Sequence, residues 1–239
     1  ESVKRIQSVS AGREFCIAIG DFNYAWSWGA NEKGQLGDGT RISHAHATRV
    51  DPELRFASLS CGHDFVLAIA LDGNLYSWGN NEFGQLGFKS RPQVTEPHML
   101  EMQASMTFVR CGADFTVGLD NTGCVWTWGN NTYGQLGNGT ILPHTDPQKL
   151  DMQTKFKHIE VGSHHVLAMD ENGRIWSWGK NDKGQLLKLP GEPQLKPEML
   201  KNIEKCSGLT ASYDFSYVRH SKGMFGWGSI SKDGKPREF

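Results

Sequence analysis

The chain is poor in the features that mark most functional classes. Lysine plus arginine and aspartate plus glutamate nearly cancel, 25 against 26, for a formal net charge of −1. No basic field therefore draws it to DNA or to acidic membrane surfaces. Five cysteines stand without a C-x-x-C spacing. An odd, unpatterned set suits a reducing compartment better than a disulfide framework. No run approaches the ~20 apolar residues that span a bilayer, and no signal peptide is visible. An intracellular location, cytoplasm or nucleus, is the expectation. There is no H-E-x-x-H, no Cys/His knuckle and no G-x-x-x-x-G-K-[ST], so neither a metal nor a cofactor is expected. The chain opens on Glu1 rather than Met, as a fragment or processed form would.

What the chain has instead is a repeat. WGANEKGQLG starts at Trp28, WGNNEFGQLG at Trp78, WGNNTYGQLG at Trp128 and WGKNDKGQLL at Trp178, each 50 residues after the last. A shortened copy begins at Trp227. A fixed period of this length means a stack or ring of equal units. The units read approximately as 1–50, 51–100, 101–150, 151–200 and 201–239, together one domain over 1–239.

Each unit reads as four short strands. The first is clearest as Phe56 to Cys61, with counterparts at Ile6–Ala11, Met106–Cys111 and Phe156–Val161, ending on a small residue and then Gly12, Gly62, Gly112 or Gly162. Glycine there allows close approach of another backbone, which suits the crowded innermost strand of a ring. The second strand, Phe65 to Ile69 and its equivalents, ends in a hairpin with Asp72-Gly73, Thr122-Gly123, Asn172-Gly173 or Lys222-Gly223, where glycine accepts the positive φ of the turn. Asn23 holds that place in the first copy, as the next most tolerant residue. The third strand carries the aromatics two apart, Trp26 and Trp28, Tyr76 and Trp78, Trp126 and Trp128, Trp176 and Trp178. Residues two apart share a face, so each unit offers an aromatic slab to its neighbour. The fourth strand begins at Pro97, Pro147 or Pro197, with Ala47 in the first copy. A proline in register argues for an outer, edge strand. Pro236 to Phe239 is read as its fifth copy. Four strands per 50-residue unit describe an all-β propeller of about five four-stranded blades.

These motifs resemble the regulator-of-chromosome-condensation repeat, whose signature is W-G-x-N-x-x-G-Q-L-G preceded by small-Gly and D-G hairpin positions and followed by P-x-x-V/L. The resemblance implies a β-propeller, usually of seven blades, so this chain would form a smaller ring or a piece of a larger one. The family commonly starts the second strand with histidine. Here that column reads Phe15, Phe65, Phe115, His165 and Phe215, which predicts a drier interior. Leu187 replaces the last loop glycine in the fourth unit, and the fifth loses the loop.

The remaining chemistry-bearing residues read as structural. His164 and His165 are adjacent in a strand, where side chains point to opposite faces and cannot share a metal. Cys61 and Cys111 fall in a column of small apolar residues, which free cysteine fills. Cys16, Cys124 and Cys206 have no histidine partner at a motif spacing. Two functions from different classes remain. The first is a non-catalytic platform that binds another protein within a larger polypeptide or assembly. The second, implied by the family, is guanine-nucleotide exchange on a small GTPase. The segment departing most from the repeat, Leu187, Lys188, Leu189, Pro190 and Glu192, is the candidate partner-binding loop, with Leu187 and Leu189 expected as exposed apolar residues.

Overall fold

Short extended segments separated by glycine turns fold as expected. A computed structural model describes residues 5–89, 91–201, 203, 205–229 and 235–238. It contains five antiparallel four-stranded sheets, each in simple sequence order. The first is β1 (Ser8–Ala11), β2 (Phe15–Ile19), β3 (Ala25–Gly29) and β4 (His44–Arg49). The second is β5 (Phe56–Cys61), β6 (Phe65–Ala70), β7 (Leu75–Asn80) and β8 (Gln93–Leu100). The third is β9 (Met106–Cys111), β10 (Phe115–Asp120), β11 (Val125–Gly129) and β12 (His144–Lys149). The fourth is β13 (Phe156–Val161), β14 (His165–Asp170), β15 (Ile175–Gly179) and β16 (Gln194–Met199), and the fifth β17 (Gly208–Ser212), β18 (Phe215–His220), β19 (Gly223–Gly228) and β20 (Arg237–Glu238).

Two boundaries differ from the reading above. The first strand starts at Ser8 rather than Ile6, because Ile6 is exposed and lacks the buried anchor that Phe56 supplies to β5. The outer strands start before their prolines. Their pairing slips opposite Trp28, Trp78, Trp128 and Trp178, so Pro97, Pro147 and Pro197 sit beside a bulge on an edge strand, where a missing N–H breaks no ladder. In the tail, Arg237–Glu238 pairs with β19 as a short fifth outer strand. Phe239 lies outside the described residues.

The blades are welded at two radii. Near the axis, the turns after the innermost strands form a backbone ladder one repeat long at each step. Arg13 donates its N–H to the His63 carbonyl (2.9 Å), His63 to Ala113 (3.0 Å), Ala113 to Ser163 (2.9 Å) and Ser163 to Tyr213 (2.8 Å). These five turns surround a central cavity of about 270 Å³. Further out, the second tryptophan of each copy is a fully buried wedge. Trp78, Trp128, Trp178 and Trp227 donate their indole N–H to the backbone carbonyls of Gln35, Gln85, Gln135 and Gln185 in the preceding blade, at 3.0, 2.9, 2.9 and 2.8 Å. Trp28, in the first described blade, is half-buried. The first aromatic of the pair does different work. Tyr76 and Trp176 meet Phe56 and Phe156 of their own blade edge-on. Trp126 and Trp176 donate to the hairpin carboxylates of Asp120 and Asp170.

Candidate protein-binding surface

Because each sheet is antiparallel and in sequence order, the turn after the first strand and the long loop after the third emerge on one face of the wheel. The W-G-x-N-x-x-G-Q-L-G residues build that loop from the inside. In the third copy, buried Asn131 accepts the Leu136 N–H through Oδ1 at 2.9 Å and donates from Nδ2 to the Thr140 and Leu142 carbonyls, both at 3.0 Å. Asn31 repeats this with Leu36 N–H at 3.0 Å and the Thr40 and Ile42 carbonyls at 3.2 Å. Asn81 holds the Phe88 and Arg91 carbonyls, and Asn181 that of Leu189. The glutamine closes the inner turn: Gln135 Oε1 accepts the Tyr133 N–H at 2.8 Å, while its backbone carbonyl receives the next tryptophan. Ser27, Ser77, Thr127 and Ser177 tie the loop to the third strand through the carbonyls of Leu36, Leu86, Leu136 and Leu186. The motif asparagine is spent on holding the loop from within. Sequence reasoning located the motif but missed this clamp, whose signal was the asparagine present in all four full copies.

What the clamp presents is apolar. Ile42 is 72% exposed, Leu142 69% and Leu189 75%, and in each case the motif asparagine binds that residue's own carbonyl. Three blades thus hold an aliphatic side chain into solvent on a fixed backbone.

The segment read as the candidate loop divides. Leu189, Pro190 and Glu192 are exposed. Leu187 is half-buried against the core of the last two blades, which corrects its reading as an exposed residue. It occupies φ +55°, where Gly37, Gly87 and Gly137 have +72°, +92° and +70°. Its position in the turn, not its side chain, dictates that backbone, and its N–H still bonds the Gly184 carbonyl at 3.1 Å. Lys188 is paired with Glu198 at 2.6 Å and Gln194 Oε1 at 3.0 Å. Leu187 and Lys188, with Met199, Leu200, Ile203 and Pro236, line a groove of about 550 Å³.

The other singled-out residues are placed as follows. His164 lies in the turn before β14 rather than in the strand, edge-on to Tyr133. His165 opens β14 fully buried, with Nε2 2.8 Å from Ser216 Oγ and Nδ1 without a partner. Burial, helped by the neighbouring His164 charge, pushes its pKa down to about 3. The rest of its column is apolar, with Phe15, Phe65 and Phe115 buried and Phe215 half-buried. Cys61 and Cys111 are packed at the inner strand ends, and burial pushes the Cys111 thiol up to about 12. Among the described residues, no group of three His, Cys, Asp or Glu side chains is placed to hold a metal ion, and no helix is long and apolar enough to cross a membrane.

Known structures share this architecture. Human WBSCR16 superposes with a TM-score of 0.80 at 23% identity, covering 89% of this chain and 57% of that one. Prp20p from Saccharomyces cerevisiae, described with its binding to Gsp1p and histones, gives 0.81 at 24% identity, over 93% of this chain and 57% of that one. The present chain therefore spans little more than half the length of either. At these identities the likeness concerns the fold. No curated protein sequence matches the chain. The RCC1-like domain profile, however, matches residues 1–234, nearly the whole sequence, so the chain belongs to the RCC1-like domain family.

Proposed function

We propose that this chain is a non-catalytic platform that binds another protein through its loop face, as one propeller domain of a larger protein or assembly inside the cell. The observation that carries the reading is the trio Ile42, Leu142 and Leu189. The three aliphatic side chains stand on one face of the wheel, where a single partner's apolar surface could cover them together. Their loops are already ordered by buried asparagines, so a partner would not bear the entropy of fixing them. Leu189, Pro190 and Glu192 extend the surface on the fourth blade, beside the groove that Leu187 and Lys188 line. The test is affinity capture with the wild-type chain and with Ile42→Ser, Leu142→Ser and Leu189→Ser combined. A stoichiometric partner lost from the variant, at unchanged melting temperature, supports the proposal. Retention of that partner by the variant refutes the assignment of this surface.

A second reading, guanine-nucleotide exchange on a small GTPase, is favoured by the likeness to Prp20p and its described binding to Gsp1p. Exchange requires wedging a nucleotide site open, not side-chain chemistry, so a rigid loop face could serve it. Accelerated nucleotide release from a GTPase panel at substoichiometric amounts of this chain would replace the platform reading. No acceleration, with stable capture of a partner, would exclude exchange.

A further inference from the structure

The opposite face of the wheel carries the hairpins between second and third strands and the connections between blades. There, at the seam of the third and fourth blades, Cys124 meets Lys155. The Lys155 ammonium donates to Cys124 Sγ at 2.8 Å, and Thr122 Oγ1 lies 3.3 Å from the same sulfur. The seam is held in register beside them, because the Phe156 N–H donates to the Gly123 carbonyl at 2.9 Å. Cys124 is 4% exposed and Lys155 half-exposed. The other seams pair different chemistry at the same place. Arg55 stacks on Tyr24, 3.4 Å above the ring. Asn74 and Arg174 turn back to the carboxylates of their own hairpins, Asp72 and Asp170.

We propose that Cys124 and Lys155 form an oxidation site for hydroperoxides, in which the thiol becomes a sulfenic acid and then condenses with the lysine amine to join the third and fourth blades covalently. In the first step the thiolate sulfur attacks one oxygen of hydrogen peroxide. An S–O bond forms, the O–O bond breaks, and the departing hydroxide takes a proton from the Lys155 ammonium to leave as water. The sulfur is oxidised, the peroxide is reduced, and the amine is left neutral beside the new sulfenic acid. In the second step that amine attacks the sulfur, forming the S–N bond of a sulfenamide and releasing a second water. No further oxidant is needed. Burial alone would raise the Cys124 pKa, but the hydrogen bonds from Lys155, Thr122 and Lys149 outweigh it and hold the thiol below its ordinary value. The thiols of Cys61, Cys111 and Cys206 are pushed the other way by burial. The more exposed Cys16 is an internal standard for access alone.

The experiment treats the intact chain with hydrogen peroxide and maps it by peptide mass spectrometry, in wild type and Lys155→Arg, with a 1,3-diketone trap for sulfenic acid. Expected in wild type is a Cys124–Lys155 linked peptide lighter by two hydrogens than the sum of its parts, formed faster than Cys16 is oxidised. Lys155→Arg should yield no link and instead accumulate trapped sulfenic acid on Cys124, with unchanged circular dichroism. Oxidation of Cys16 ahead of Cys124, or trapped Cys124 in wild type without any link, would overturn the proposal. Because the wild-type chain alone supplies both of these readouts, the test does not depend on the variant folding.

Discussion

Histidine 165 shows how one residue changes the pH response of an otherwise apolar column. Its four equivalents are phenylalanines, and it replaces ring packing with one bond to Ser216. The folded protein holds the imidazole neutral down to pH of about 3, whereas the unfolded chain protonates near the ordinary value of 6.5. Between those limits the unfolded state binds the extra proton, so stability falls as pH falls through that window. His165→Phe removes this dependence. Its stability relative to wild type should rise by about 2 kcal/mol between pH 7 and pH 5, at ~1.4 kcal/mol per unit below 6.5. Urea denaturation of both proteins at the two pH values checks this. Leucine 187 makes the complementary point about backbone. Gly137, its equivalent, has no room for a side chain, since a Cβ there would lie 2.9 Å from Trp178 Nε1. Gly137→Leu should therefore cost about 2 kcal/mol or more from crowding and left-handed strain, measurable as a lowered melting temperature.

At the scale of the element, the loop clamp and the tryptophan wedge carry separable predictions. Asn131→Ala removes the partners of the Leu136 N–H and the Thr140 and Leu142 carbonyls in a buried setting. The expected loss is about 2–4 kcal/mol, accompanied by faster amide exchange confined at first to residues 136–143. Trp128→Ala should cost about 3–5 kcal/mol, because it empties the packing between two blades and leaves the Gln85 carbonyl with only its bond from Thr116 Oγ1. Trp28→Ala in this chain should cost clearly less, because Trp28 is only half-buried where Trp128 is fully enclosed. Equal losses for the two tryptophans, in paired chemical denaturation, would contradict the wedge account. The position of both elements was legible in the sequence, since tryptophan, asparagine and glutamine recur at one period. Their roles were not. Spacing placed the two aromatics on one face but could not show that the second reaches a neighbour's carbonyl while the first serves its own hairpin.

For the whole molecule, stability follows from nearest-neighbour junctions, as in other repeat arrays. The second, third and fourth blades have a neighbour on both sides. The fifth ends in a two-residue outer strand and exposes Tyr213 and Met224. Native-state hydrogen exchange should accordingly be slowest in β10 and β14 and fastest in β17–β20, with β1 intermediate or fast. Uniform protection across the five sheets would mean that the array opens only as one unit.

The sequence by itself determined the blade count, the strand order and the radius of nearly every residue, because period, alternation and turn glycines are local properties written once per unit. Only the tertiary structure decided that Leu187 turns inward while Leu189 turns out, that Cys124 faces Lys155, and that three aliphatic loop tips share one face. Those outcomes depend on contacts between units 30 residues or more apart in effect or on the path of an irregular loop, and neither leaves a periodic trace along the chain.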